Sequence, residues 1–170
     1  GRSATFHIID NYPMARPKFL VDCMLGRLAR WLRIIGYDTV TVGAQARKRL
    51  PERSFLEKRV IVTREARLKD AHAYKVVFLR QQHWPQQLAA LWKELGLPAV
   101  DSKRMFTRCG TCNRPLKRIA KLRLAPTKIP PKVYAFHKIF HTCPRCNKIF
   151  WPGSHLDLTI GRLKDIHIPQ

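Results

Sequence analysis

Four of the five cysteines fall into two pairs, Cys109-Gly-Thr-Cys112 and Cys143-Pro-Arg-Cys146, with thirty residues between them. A C-x-x-C turn lets two thiolates converge on one tetrahedral ion, and a second such turn completes the coordination shell. Four thiolates leave no position for water, so the chemistry is that of one structural zinc ion held by Cys109, Cys112, Cys143 and Cys146. Thirty intervening residues suit a hairpin or small sheet, which describes a zinc ribbon. Two disulfides, or four packed thiols, are the rival readings. Paired spacing favours metal, and with it a reducing compartment. His137, His141 and His155 are read as surface or packing residues, and Cys23 as a buried helix residue.

Charge is the second chemical signal. The 170 residues carry 33 Lys and Arg against 11 Asp and Glu, a formal charge of +22. A compact chain repels itself at that charge, and a polyanionic partner explains it. A membrane surface and an adaptor for acidic proteins are rivals. No apolar run approaches the roughly 20 residues needed to span a bilayer, so no membrane association is expected. The chain starts at Gly1 rather than Met, which fits either removal of an upstream segment such as an organellar transit peptide or a sequence that begins inside a larger protein.

The elements that must position these groups follow from periodicity. Residues 1–17, with Pro13 and Pro17, read as an irregular arm. Lys18–Val21 has strand length, and Asp22 is placed to cap a helix with Met24, Leu25, Leu28, Trp31, Leu32 and Ile35 on one face, stopped by Gly36. Thr39–Val42 predicts a second strand, Pro51–Glu57 a short helix, and Arg59–Val62 a third strand followed by a helix capped by Thr63. Lys75–Leu79 predicts a fourth strand, and Trp84–Leu95 a helix closed by Gly96. This alternation predicts an α/β domain over 18–103, a parallel sheet flanked by helices. Sites in such sheets form beyond the carboxyl ends of the strands, where Asp22 and Thr63–Glu65 fall. From Arg104 helical periodicity stops and prolines cluster at Pro126, Pro130 and Pro131. The second module runs over 104–153, and 154–170 is a tail without a clear signal.

Several segments resemble one family in order. They are Phe19-Leu20-Val21-Asp22, Met24-Leu25-Gly26-Arg27-Leu28-Ala29-Arg30-Trp31-Leu32-Arg33, Gly36-Tyr37-Asp38-Thr39 and Val62-Thr63-Arg64-Glu65, with the two knuckles and Trp151-Pro-Gly-Ser-His155. Together they resemble the Mut-seven C-terminal ribonuclease domain, a PIN-like fold joined to a zinc ribbon, over about residues 18–156. The resemblance implies metal-dependent RNA cleavage by carboxylates gathered around Mg2+ or Mn2+. Asp22 and Asp38 match family acids. Glu65 stands where the family has aspartate, and Arg47-Lys48-Arg49 lies in a segment that the family keeps acidic. Three cations in that place repel a divalent metal and attract phosphate. Asp22, Asp38 and Glu65 are therefore read as vestigial, and Mg2+ or Mn2+ is expected only if the nuclease site is active.

The expected function is RNA binding by a degenerate nuclease domain, within a large ribonucleoprotein such as an organellar ribosome. An active ribonuclease is the alternative. Candidate RNA contacts are Arg27, Arg30, Arg33, Arg47, Lys48, Arg49, Arg64 and Arg67, with Lys58, Arg59 and Lys69 on the same side. The second module adds Arg114, Lys117, Arg118, Lys121, Arg123, Lys128, Lys132 and Lys138. Tyr134, Phe136, Phe140 and Trp151 offer stacking surfaces or a small ribbon core. Partners are RNA, ribosomal RNA first, and neighbouring ribonucleoprotein proteins; no small-molecule substrate is expected. The expected location is an intracellular reducing compartment, a mitochondrion or other organelle first, with the cytoplasm as alternative.

Overall fold

The structure, a computed structural model, describes residues 16–124, 128–153 and 155–170. The arm expected over 1–17 lies outside the described residues, apart from Arg16 and Pro17. Strands β1 (Lys18–Asp22), β2 (Thr39–Val42), β3 (Arg59–Thr63) and β4 (Lys75–Phe78) form one parallel sheet in the order β2-β1-β3-β4. Helix α1 (Gly26–Ile34) connects β1 to β2, α2 (Leu50–Glu57) connects β2 to β3, and α3 (Trp84–Leu95) follows β4.

Alternate residues of the central strands feed two cores, because successive side chains point to opposite faces. Phe19, Val21, Val60 and Val62 join Leu28, Leu32, Leu88 and Leu91 on the face covered by α1 and α3. Leu20 and Ile61 join Val42 and Leu50 on the α2 face. Trp31 and Trp84 stack with ring centroids 4.4 Å apart and planes 7° from parallel, tying α1 to α3. Such pairs contribute about 0.5–1.5 kcal/mol beyond the area they bury. On α2 the buried Ser54 hydroxyl donates to the Arg59 carbonyl at 2.7 Å and accepts from the Tyr74 N–H, fixing the helix to the start of β3.

Several local expectations are corrected. Residues Cys23–Leu25 form a 3-10 turn before α1, which leaves Cys23 exposed and Met24 51 % exposed rather than on the packed face. Thr63 begins no α-helix; only a 3-10 turn, Ala66–Leu68, follows β3. Helix α1 ends before Gly36, whose φ is +99°, and a Cβ there would lie 2.5 Å from the Arg104 carbonyl oxygen. Glycine is required at that close approach.

The second module holds a three-stranded antiparallel sheet of β5 (Lys117–Ile119), β6 (Phe140–Thr142) and β7 (Ile149–Phe150), in that order. Helix α4 (Pro131–Phe136) lies between β5 and β6. Buried Leu124, Ile129 and Phe140 form its small core, flanked by Tyr134 and Trp151. The segment read as a signal-free tail instead forms α5 (His155–Asp165). Leu163 and Ile168 return to the main core, and Val100 N–H donates to the Pro169 carbonyl at 2.8 Å. Among the described residues no helix is long and apolar enough to cross a membrane.

Candidate functional site

The chain leaves β1 towards β2 on one side and returns across it to β3 on the other. Ligand crevices of open parallel sheets form at such a reversal, beyond the carboxyl ends of the strands. Asp22 ends β1 there, fully buried, and Thr63 ends β3. The crevice is already occupied by the protein itself. Residues Ala44–Arg49 continue from β2 as a 3-10 helix that turns Arg47 back onto Asp22. Arg47 Nε donates to Asp22 Oδ2 and Nη2 to Oδ1, each at 2.9 Å. Met24 N–H donates to Oδ1 and the Thr63 hydroxyl to Oδ2, each at 3.3 Å. An ionised carboxylate has about four lone-pair sites, and all four are taken. Burial opposes ionisation of Asp22, yet the bonds from Arg47 and Met24 outweigh it and hold its carboxyl below the ordinary range. A divalent ion could reach these oxygens only by displacing the guanidinium. The three consecutive bases therefore divide: Arg47 turns in, while Lys48 and Arg49 stay exposed.

The other two candidate acids do not complete a cluster with Asp22. Asp38 precedes β2, and the register that pairs Phe19 with Thr39 and Asp22 with Val42 places Asp38 at the opposite end of the sheet. Four strand residues separate the two levels, roughly 13 Å at about 3.3 Å per residue. This corrects the expectation that Asp38 belongs to the same site. Asp38 instead accepts from Arg59 Nη1 at 2.9 Å, Arg59 Nη2 at 3.1 Å and Asn113 Nδ2 at 2.7 Å. Burial opposes its ionisation, and these bonds, with the charges of Arg59 and Arg108, still leave its carboxyl below the ordinary value. Glu65 lies near the crevice, where its N–H donates to Thr63 Oγ1 at 2.9 Å. Among the described residues, no group of three acids is close enough to share an ion.

The cysteines do converge. Their four Sγ atoms lie within 4.8 Å of one another, and Cys109 Sγ and Cys146 Sγ are 3.8 Å apart. A tetrahedral site with metal–sulfur bonds of about 2.3 Å has edges of about 3.8 Å, so the sulfurs fit a bound ion. The two knuckles share one backbone plan. Asn113 N–H donates to the Cys109 carbonyl and Asn147 N–H to the Cys143 carbonyl, both at 2.9 Å. Cys109 N–H returns to the Arg114 carbonyl, and Cys143 N–H to that of Lys148. Asn113 and Asn147 have φ of 63° and 57°, left-handed values that asparagine tolerates better than most residues. Burial works against a Cys143 thiolate, but the N–H groups of Cys146 and Arg145 bring that thiol down to about 7. The three histidines stand outside this sulfur group.

The model of the Mut7-C RNAse domain matches residues 17–162, most of the chain and both modules. The chain belongs to this family. No curated protein and no solved structure gave a match.

In this Mut7-C domain the first knuckle is bolted to the edge of the main sheet. Asn113 Oδ1 accepts the Thr39 N–H at 2.9 Å, occupying a group that edge strand β2 would otherwise leave unpaired. Arg33, expected on an exposed basic face, is only 7 % exposed. Its Nε donates to the Thr39 carbonyl, Nη1 to the carbonyls of Gly110 and Thr111, and Nη2 to Thr41 Oγ1. That corrects its assignment as an RNA contact, since every arm of the fork is used inside the protein. Arg30 is exposed but lies along Gly110, where an added Cβ would sit 3.4 Å from its Cγ.

The remaining basic candidates of the Mut7-C domain lie on several surfaces. Arg27, Lys48, Arg49 and Arg67 are exposed around the carboxyl edge, with Arg64 half-buried. Lys117, Arg118 and Arg123 are exposed on the ribbon, whereas Lys121 covers the Tyr134 ring at 4.6 Å. Phe140 is buried and Tyr134 and Trp151 pack on it, leaving Phe136, 83 % exposed, as the free aromatic of that set. Sequence reading missed Arg53 and Arg145 altogether and gave Arg108, Asn113 and Asn147 no role. An asparagine directly after each C-x-x-C was the available signal.

Proposed function

We propose that this chain binds RNA without cutting it, as a Mut7-C domain whose nuclease site is closed by its own arginine. The observation that carries the reading is Arg47 on Asp22: a cation from the chain sits where the family chemistry requires metal. A guanidinium neither activates water nor steadies a leaving alkoxide as two divalent ions do, and among the described residues no group of three acids gathers at Asp22 to recruit them. The charge of +22 supports a polyanionic partner, and family membership supports RNA as that partner.

The ion in the cysteine cluster is proposed to be zinc, because four thiolates in tetrahedral array suit a closed structural zinc site. A place in a large ribonucleoprotein, such as an organellar ribosome contacting ribosomal RNA, is the finer form of the reading. It is supported by high charge on a small chain with a zinc ribbon. Family membership alone favours a second reading, metal-dependent RNA cleavage. The test incubates purified protein, with Mg2+ or Mn2+, with single-stranded and structured RNA. Binding without cleavage is expected. Metal-dependent cleavage that Asp22→Asn abolishes would overturn the non-catalytic reading.

A further inference from the structure

A second concavity, of about 660 Å³, opens between β2 and the first cysteine knuckle, away from the carboxyl-edge crevice. Its lining includes six arginines, Arg33, Arg53, Arg59, Arg108, Arg114 and Arg145, and a single carboxylate, Asp38. No lysine lines it. Arginine presents a planar fork that matches phosphate oxygens in pairs, whereas lysine is a point charge. The composition of the cleft is therefore that of a phosphate reader.

The charges can be assigned one by one. Arg59 is held by Asp38 and Glu57, and Arg53 is held by Glu57. A four-thiolate zinc centre beside the cleft would carry two negative charges, and the buried Arg33 reaches the carbonyls of Gly110 and Thr111 within its first knuckle; the partly buried Arg108 has Asp38 at 3.9 Å. Even so, Arg114 and Arg145 are left over. Both are exposed, and among the described residues neither meets a carboxylate. Rigid backing surrounds the two free forks: Arg33 is fixed by four acceptors, and Arg108 Nη1 donates to the Asn113 carbonyl at 2.8 Å.

We propose that this arginine-lined cleft is the main contact of the protein with the RNA phosphate backbone, gripped by Arg114 and Arg145 from the two knuckles. The proposal rests on the RNA-binding reading above and places the contact at the β2 edge rather than at the former catalytic edge. The zinc ribbon thereby has a functional reason for docking on β2, since Arg114 and Arg145 follow or lie within its knuckles and reach the cleft only when both are formed.

The test measures binding of a fluorescent 20-nucleotide mixed-sequence RNA to the full chain across a salt series. The Arg114→Ala/Arg145→Ala pair is compared with Lys93→Ala/Arg162→Ala, which removes equal charge from exposed positions on α3 and α5. The cleft pair is expected to weaken binding at least tenfold and to lower the log–log salt slope by about 1.4–1.8, two phosphate contacts' worth. The control pair is expected to change affinity less than threefold. Zinc content and circular dichroism verify each fold, and Arg114→Glu supplies a single-site version should the double variant misfold. Equal effects of the two pairs, or none from the cleft pair, would overturn the cleft assignment while leaving RNA binding intact. Absence of RNA binding by the unaltered chain would instead sink the underlying reading. Displacement of the RNA by poly-glutamate at equal charge concentration would overturn the proposal in favour of an acidic protein.

Discussion

Arg47 and Asp22 face each other in parallel, Nε on Oδ2 and Nη2 on Oδ1, with both bonds at 2.9 Å. The carboxylate is fully buried, while about a quarter of the arginine side chain is exposed. Removing the cation leaves an uncompensated charge inside the protein, which is far costlier than losing a surface pair. Arg47→Ala is expected to lower stability by more than loss of an ordinary surface pair would, because it strands the buried Asp22 carboxylate. Urea denaturation checks this. Asp22→Asn in the Arg47→Ala background should recover part of the loss, because the stranded charge is gone. Replacing Arg47, Lys48 and Arg49 together therefore disturbs the fold as well as the charge; the pair of exposed bases, Lys48→Ala/Arg49→Ala, offers the fold-neutral change.

The metal centre gives a second expectation. One zinc per chain should be found, and Cys112→Ser or Cys143→Ser should lose it and unfold the ribbon, since structural zinc contributes on the order of 10 kcal/mol or more to such modules. Because Asn113 Oδ1 holds the Thr39 N–H, chelation should also speed hydrogen exchange at Thr39 on the main sheet. Unchanged exchange at Thr39 after metal loss would show that the docking outlives the ion.

The two asparagines should behave differently. Both sit at left-handed φ, so alanine at either costs about 1–2 kcal/mol. Asn113→Ala also loses the bonds to Thr39 and Asp38 and should cost about 2–4 kcal/mol. Asn147→Gly should be close to neutral, whereas Asn113→Gly should not. Thermal denaturation of the four variants decides the matter.

Acid should destabilise the protein in a defined window. Asp22 and Asp38 both have carboxyls below their ordinary values, so the folded state binds fewer protons than the unfolded chain, whose aspartates titrate near about 3.9. Their contribution is full above that pH and is lost as pH falls through the lower folded values. The melting temperature should stay level near neutrality and drop below about pH 4. Protonation also releases zinc from thiolates, so the informative comparison is the acid slope of Asp22→Asn, which should be shallower than that of the parent.

Where local pattern and packing agree, the fold was legible in the sequence. Helix α3 runs from Trp84 to Leu95 as periodicity and Gly96 predict, with Gly96 at φ +57° as its left-handed stop. Strand β2 coincides with its four β-branched residues. The cysteines were legible because thiolate spacing is itself the chemistry. Arg33 was misread because its exposure is decided by Gly110 and Thr111, 77 and 78 residues later. Asp38 was misplaced because a motif fixes order along the chain but not which end of a sheet the residue occupies. Helix α5 was missed because its stripe of Leu156, Ile160 and Leu163 is short and broken by Gly161, so it is held by the core it meets more than by its own propensity. The plug on Asp22 was half visible: three bases were recognised as hostile to metal, but nothing in their run says which one turns inward.

The return of α5 has a consequence for how the protein is made. Leu163 and Ile168 complete a core whose other members include Phe19 and Leu28, so the ribbon is an insertion within one cooperative body rather than an appendix to it. A chain emerging from the ribosome at about 5–20 residues per second presents the sheet first, but cannot close it over until Leu163 and Ile168 are free. During that interval apolar surface near Leu163's seat stays open. Deletions after Phe150 should therefore act as lesions of the amino-terminal domain, appearing as poor yield and aggregation rather than as loss of a distant tail.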